Sequence, residues 1–224
     1  MKIIFYCITF ALLCSCANQK KEADSSELVK AIVPAERIDL WNGVDFSGWE
    51  LFIPDSSADV KQVWQLRDGV IHCSGVPNGY MRTRDDYANY KLTLEWRWPE
   101  EPGNSGVLIH IAYPDMVWPK CIEAQLMSGD AGDFFLIGGT SLNEQADKTS
   151  RRIRKKQQSS ENTPGEWNTY EIICAGDVIR LYVNGVLQNE GSGASVQQGK
   201  IGLQSEGKPI QFRNIRLEAV HSGS

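Results

Sequence analysis

The chain has no excess of positive charge. Its formal net charge is -5 over 224 residues, so a protein living on non-specific nucleic-acid binding is excluded and no nucleic-acid partner is expected. It has no apolar run long enough to span a bilayer, which takes about 20 residues. The longest, Ile3 to Leu13, has eleven. No stretch carries an extended 3.6-residue apolar stripe, so helical architectures are disfavoured. Gly-x-Ser-x-Gly, a phosphate-binding glycine loop and His-Glu-x-x-His are all missing, which argues against a serine hydrolase, a nucleotide enzyme and a zincin. What is present is 42% hydrophobic residues, enough for a packed core, and seven tryptophans, which either fill that core or offer flat faces to sugars, a choice that composition alone leaves open.

Met1-Lys2 and the run Ile3–Leu13 read as the charged start and apolar centre of a secretory signal. The run closes on Leu13-Cys14-Ser15-Cys16, which resembles a bacterial lipobox and marks Cys16 for lipidation. Residues 1–15 are then a signal peptide, leaving 209 residues. Residues 16–35 are polar and read as a flexible tether, and 36–220 as the folded domain. The expected location is the bacterial cell envelope, periplasmic or surface-exposed, with the membrane met through the N-terminal lipid only. Cys73, Cys121 and Cys174 remain in the domain, an odd number without zinc-knuckle spacing, and read as buried, inert thiols.

Within the domain, period-two patterns are broken by turn residues. Tyr90 to Trp98 puts Leu92, Leu94, Trp96 and Trp98 on one face and Lys91, Thr93, Glu95 and Arg97 on the other. Further strands are predicted at 107–112, 121–127, 167–175, 178–183, 199–204 and 210–218. Gly176-Asp177 and Asn184-Gly185 are hairpin signals, the latter because both residues accept the positive φ of a type I′ turn. The expected fold class is all-β, a sandwich or jelly roll of two antiparallel sheets. About 30 residues between Phe135 and Trp167 lack the pattern. There Lys148, Arg151, Arg152, Arg154, Lys155 and Lys156 place six positive charges in nine positions. The segment is a solvated loop, a lid over an anionic or carbonyl-bearing ligand, or a surface for phosphate head groups.

The polar faces of the strands carry the candidate chemistry. Ile122, Ala124 and Leu126 form a core face, leaving Glu123 and Gln125 beside Cys121 and Met127. A carboxylate among apolar neighbours has a raised pKa and can act as acid or base. With Val107, Ile109 and Ile111 turned inward, alternation puts His110 on the other face, beside Glu123, as an acid–base pair or as two ligands of a divalent metal. Asn104 in the turn before this strand, Gln204 at the end of another, and Glu95 on its polar face are candidates for sugar hydroxyls. Asp133, with Asp130 in the loop Gly129–Asp133, could bind hydroxyls or calcium, although the loop lacks the ligand count of an EF-hand. Gln204-Ser205-Glu206-Gly207 can reach the same groove. Trp118 and Trp41 are candidates for sugar stacking, and Trp96 and Trp98 for the core.

Taken in order, these segments resemble a family: Leu40-Trp41-Asn42-Gly43 with Asp45-Phe46-Ser47-Gly48-Trp49, Asp68-Gly69-Val70-Ile71, Leu94-Glu95-Trp96-Arg97, Asn104-Ser105-Gly106-Val107 and Ile122-Glu123-Ala124-Gln125. Gly165-Glu166-Trp167-Asn168-Thr169, Val183-Asn184-Gly185, Gly202-Leu203-Gln204 and Phe212-Arg213-Asn214-Ile215 complete the series. Together they are similar to the 3-keto-disaccharide hydrolase family over roughly residues 38–218. The resemblance implies a concanavalin-like jelly roll that cleaves 3-keto-glycosides, by proton abstraction at carbon 2 and elimination of the glycosidic oxygen. It departs from many members in having His110 where they carry Arg, and Ser205-Glu206-Gly207 where they carry His-Gly after the glutamine. On this reading His110 and Glu123 share the base and acid roles, and Asn104, Gln125 and Gln204 hold hydroxyls. Two alternatives stand beside it. One is a non-catalytic carbohydrate-binding module on a lipoprotein. The other is a glycosidase on unmodified sugars, for which Glu95 is the second carboxylate facing Glu123.

Overall fold

The computed structural model describes residues 30–220. The predicted signal peptide and Cys16 lie outside the described residues. In chain order the elements are β1 (Ile38–Asp39), β2 (Trp49–Phe52), the one-turn α1 (Val60–Val63), β3 (Trp64–Arg67), β4 (Val70–Cys73), β5 (Gly79–Thr83) and β6 (Tyr90–Arg97). Then come β7 (Gly106–Ala112), β8 (Lys120–Gln125), β9 (Phe134–Ile137), β10 (Arg152–Ile153) and β11 (Asn168–Ala175). The last are β12 (Val178–Val183), β13 (Val186–Gly191), β14 (Lys200–Ser205) and β15 (Ile210–Ala219).

The strands form two antiparallel sheets. One runs β13-β12-β11-β6-β15-β4-β3, with β1 on β15; the other runs β10-β9-β8-β7-β14-β5-β2. This is the jelly-roll sandwich that the strand pattern predicts. The predicted alternation of β6 holds: Leu92, Leu94 and Trp96 are fully buried between the sheets, and Trp98 nearly so. Ile122 and Ala124 of β8, Ile201 and Leu203 of β14, and Tyr170 and Ile172 of β11 complete the same core. Both predicted hairpins form, with positive φ at Gly176, Asn184 and Gly185. The three domain cysteines are free and buried.

Three expectations change. Trp41 is not a stacking platform. It is 7% exposed, packs in the core and donates its indole N–H to Gly69 O at 2.7 Å. The end of the predicted tether has already joined the sandwich: Ile32 N donates to Asp86 O at 2.8 Å, and Ala88 N to Ile32 O at 3.0 Å. The segment after Phe135 is ordered by ion pairs. Arg152 bridges Asp133 (2.5 Å) and Asp130 (2.7 Å), and the backbone N–H of Lys155 donates to Asp133 at 2.7 Å. Short β10 then pairs with β9, in register Arg152 with Phe135.

Candidate functional site

The outer face of the second sheet carries a small apolar cluster, Tyr80, Leu108, Ile111, Cys121 and Ile137. At one end of this cluster opens a cavity of about 260 Å³. It is lined by the polar residues Asn104, Glu123, Gln125, Arg151 and Glu206 and the apolar residues Trp118, Met127, Phe135 and Ile137, interleaved along the sheet, where Phe135 pairs with Glu123.

Glu123 sits there because β8 alternates, with Ile122 and Ala124 turned to the core. Leu108 lies opposite Glu123 in β7, and Gly106 opposite Gln125. Gly106 is needed for its lack of a side chain: a Cβ there would come within 2.3 Å of Glu123 Oε1. The carboxyl therefore lies over the glycine. Glu123 is 4% exposed, and its Oε1 is buried with no hydrogen-bond partner. Burial pushes its pKa up to about 8, the neighbouring Glu206 carboxylate adds to the rise, and Arg151 opposes it. Burial also raises the pKa of Glu206. Glu206 is held at the exit of β14 by a backbone bridge to Asn104 at the entrance of β7. Ser105 ties the same corner, donating to Gln204 O at 2.8 Å and accepting Leu126 N–H on its carbonyl at 2.9 Å.

The amides are oriented. Gln125 Oε1 accepts from Leu126 N and Met127 N, both at 2.8 Å, which leaves its NH₂ as the group free for a ligand. Asn104 Oδ1 is buried and unpartnered. Trp118 stands on the β7–β8 loop, 37% exposed. Asp115 clamps that loop to β5, accepting from Arg82 Nε (2.7 Å), Arg82 Nη2 (2.6 Å) and the Tyr80 hydroxyl (2.8 Å).

Of the residues singled out in the sequence, Glu123, Gln125, Asn104 and Trp118 converge on this cavity. Gln204 is on the same face, since Ile201 and Leu203 turn inward, but it is not part of the cavity wall; both its amide atoms are buried without partners. Asp133 is not in the cavity. It is 1% exposed and anchors the basic segment through Arg152 and Lys155. Glu95 is on the outer face of the other sheet, where it accepts from Arg213 (2.6 Å) and Asn214 (3.0 Å). The full thickness of the sandwich separates it from Glu123, so it cannot be the second carboxylate of a glycosidase pair.

His110 is the main departure from the expected pairing. β7 has a register shift between Ile109 and Ala112, and His110 sits in it at φ 57°. The bulge breaks the alternation and turns the ring inward. His110 is fully buried, edge-on to Tyr90 at 5.6 Å, with Nδ1 donating to Val196 O at 3.1 Å. Burial lowers its pKa to about 4, so the ring is neutral. The structure does not bring it to Glu123. These two therefore do not fit a shared metal, and no group of three His, Cys, Asp or Glu that could hold one occurs among the described residues.

Two wall residues were not singled out individually. Glu206 appears in the sequence only as part of a segment that can reach the groove, and Arg151 only as one of six basic residues. No sequence signal marks Arg151: it stands just before β10, and its direction is set by contacts between loops, while Arg152 beside it is taken up by Asp133 and Asp130.

The fold and the family agree with these observations. A family profile described as a 3-keto-alpha-glucoside-1,2-lyase-like domain matches residues 36–218. No curated protein matches the chain in sequence. Among solved structures, one from Parabacteroides distasonis ATCC 8503, provisionally described as a glycosyl hydrolase, is 22% identical with a TM-score of 0.61, covering 83% of this chain and 94% of that one. The carbohydrate-binding module CBM66 from Bacillus subtilis is 11% identical with a TM-score of 0.56, covering 78% and 98%. A β-glucanase of Bacillus licheniformis is 11% identical with a TM-score of 0.53, covering 82% and 97%. Likeness at these identities establishes the shared sandwich; enzymes and binders both use it.

Proposed function

The chain belongs to the 3-keto-α-glucoside-1,2-lyase-like family, and from that premise we propose that it cleaves glycosides whose sugar carries a ketone at carbon 3. The ketone acidifies the hydrogen at carbon 2. Glu206, the less buried carboxylate, takes that proton. The C–H electron pair becomes the carbon 1–carbon 2 double bond and the bond to the glycosidic oxygen breaks. Glu123, protonated at neutral pH, gives its proton to the departing oxygen. Arg151 faces the negative charge that grows on the ketone oxygen. Asn104 and Gln125 hold hydroxyls, and Trp118 supplies a stacking face. Each carboxyl ends in the other's starting state, so water can add across the double bond by the reverse transfers, and the net change is hydrolysis. No step uses a metal.

The observation that carries this reading is Glu123: a carboxyl buried without a partner, beside a second carboxyl, at the floor of a cavity. A binding module gains nothing from such a group, because an unsatisfied buried carboxyl costs about 1–3 kcal/mol. The test is incubation of the purified protein with a 3-keto-disaccharide and with its unoxidised parent, following products by NMR. Cleavage of the keto form alone supports the proposal. Cleavage of the parent points to ordinary glycosidase chemistry at Glu123 and Glu206, and saturable binding without product points to a carbohydrate-binding module.

We also propose that the domain is carried on a lipid at Cys16 in the cell envelope. No helix among the described residues is long and apolar enough to cross a membrane. Cys16→Ser should release the protein from the membrane fraction; unchanged fractionation would refute the anchor.

A further inference from the structure

The sheet that contains β6 and β15 carries a second cavity, of about 250 Å³, on its outer face, across the sandwich from Glu123. It lies at one end of a polar row that crosses four strands. Gln65 of β3 pairs with His72 of β4, His72 with Gln211 of β15, and Gln211 with Arg97 of β6. All four face outward because the residues beside them, Trp64, Ile71, Phe212 and Trp96, turn into the core. Gln65, His72 and Gln211 line the cavity together with Arg67, and Pro99 and Pro209 close it.

The hydrogen bonds along this row run in one direction. Arg97 has donors only, so it fixes the amide of the buried Gln211: its Nε donates to Gln211 Oε1 at 2.6 Å. The Gln211 NH₂ is thereby turned to His72 and donates to Nδ1 at 3.1 Å. A neutral ring that accepts on Nδ1 carries its proton on Nε2. Burial keeps the ring neutral by lowering its pKa; Arg67 and Arg97 lower it further, and Asp68 opposes them. At the other end Arg67 donates to Gln65 Oε1, which leaves the Gln65 NH₂ free for a ligand. The acceptors of the row are engaged within the protein, and what remains is N–H: on His72 Nε2, on Gln65 and on the rest of the Arg67 guanidinium. None of the residues lining the cavity is acidic. Among the described residues neither Arg67 nor Arg97 is paired with a carboxylate, whereas Arg213 on the same face meets Glu95. Donors alone, with one cation at the wall, match a group that only accepts and carries a single negative charge. A hydroxyl, which must also donate, is matched less well. The volume is below the roughly 300–1,000 Å³ of pockets for drug-sized ligands, so the occupant is small.

We infer that this cavity is a second ligand site, separate from the reaction, that takes the carboxylate of a small molecule on His72 Nε2–H, the Gln65 NH₂ and Arg67. The chain has three histidines, so the His72 ring is a clean reporter. The test follows its nitrogens by nitrogen-15 NMR in the purified protein while D-glucuronate, acetate or D-glucose is added, ionic strength being held constant with chloride. The free protein should show the Nε2-protonated ring. Glucuronate and acetate should shift the His72 signals saturably, and glucose should bind at least about tenfold more weakly than glucuronate. Glucuronate binding more tightly than acetate would make an acidic sugar the source of the carboxylate; equal affinity would make it any small carboxylate. Arg67→Gln, a change at an exposed side chain, should weaken glucuronate by about tenfold with the same His72 readout. A ring protonated on Nδ1, no saturable shift with either carboxylate, an equal response to glucose, or an affinity that Arg67→Gln leaves unchanged overturns the inference. No turnover enters the readout, so the outcome is independent of the reaction proposed at Glu123.

Discussion

The two outer faces of the sandwich are built by the same strand alternation and end in opposite electrostatic conditions. On the face that carries Glu95, each carboxylate of the sheet meets a cation: Glu95 meets Arg213, Glu171 meets Lys91, and Glu218 meets Lys91 and Arg216. Arg97 and Arg213 also lie over the Trp167 ring, at 4.5 and 4.0 Å. On the face that carries Glu123, four buried polar atoms have no partner: Asn104 Oδ1, Glu123 Oε1 and both amide atoms of Gln204. A folded chain satisfies its buried polar groups almost everywhere. Unpartnered atoms occur elsewhere too, Thr93 Oγ1 and Arg216 Nε on the Glu95 face among them, so the contrast lies in the carboxyls: paired with cations on one face, and at Glu123 buried without a partner on the other. On the proposed reaction, the face with paired carboxylates contributes to stability and the face of Glu123 carries the chemistry.

The sharpest way to break this contrast is Glu123→Gln. It keeps the shape and removes the proton, so turnover of a 3-keto-glycoside should fall by about 10²–10⁴, read by initial rates. Undiminished rates would remove Glu123 from the mechanism. Gly106→Ala is next. The added Cβ displaces the Glu123 carboxyl, and a misplaced acid should lower the rate by about 10²-fold with an unchanged circular dichroism spectrum. A full-rate Gly106→Ala would show that the carboxyl need not lie over that glycine.

The pH profile is the third test. On the proposed mechanism Glu123 acts protonated, with its pKa raised to about 8, so rates should decline above pH 8, approaching about tenfold per pH unit. They should also decline in acid as Glu206 takes up a proton, at a pH above the ordinary glutamate value of 4.5 because burial raises it. Stability carries the same sign. The pKa of Glu123 is raised on folding from 4.5 to about 8, so the stability held below pH 4.5 is lost as pH rises toward 8. Glu123→Gln does not lose it, and its Tm should exceed that of the wild type by about 2–8 °C at pH 9 and not at pH 5. The smallest effect belongs to the satisfied face. Glu95→Gln should leave turnover within about twofold and reduce stability by no more than about 1 kcal/mol in denaturant titration. A large loss of rate would mean that the two faces are coupled.

Much of this was legible in the sequence because β structure writes its faces at period two. The core face of β6, the inward Ile122 and Ala124 with outward Glu123 and Gln125, and the Asn184-Gly185 turn all follow from alternation and turn chemistry. The family resemblance, over roughly residues 38–218, covers nearly the stretch that the profile matches, 36–218. His110 was illegible because a single extra residue in β7 reverses the parity of everything beyond it, and nothing in Leu108-Ile109-His110-Ile111 marks the bulge. Glu95 shows the complementary limit. Alternation says that a residue faces outward, but not from which sheet, and only the pairing of β6 with β11 and β15 places it behind the core. Asp133 and Arg151 depend on contacts between loops, which have no period to read.

The measurement that bears most directly on the account is the titration of the Glu123 carboxyl by carbon-13 NMR, in the wild type and in Glu206→Gln. The account predicts a midpoint near pH 8, moving downward when the neighbouring carboxylate is removed. A midpoint near 4.5 that is indifferent to Glu206 would mean an ordinary ionised glutamate, and neither the acid role nor the contrast between the faces would stand.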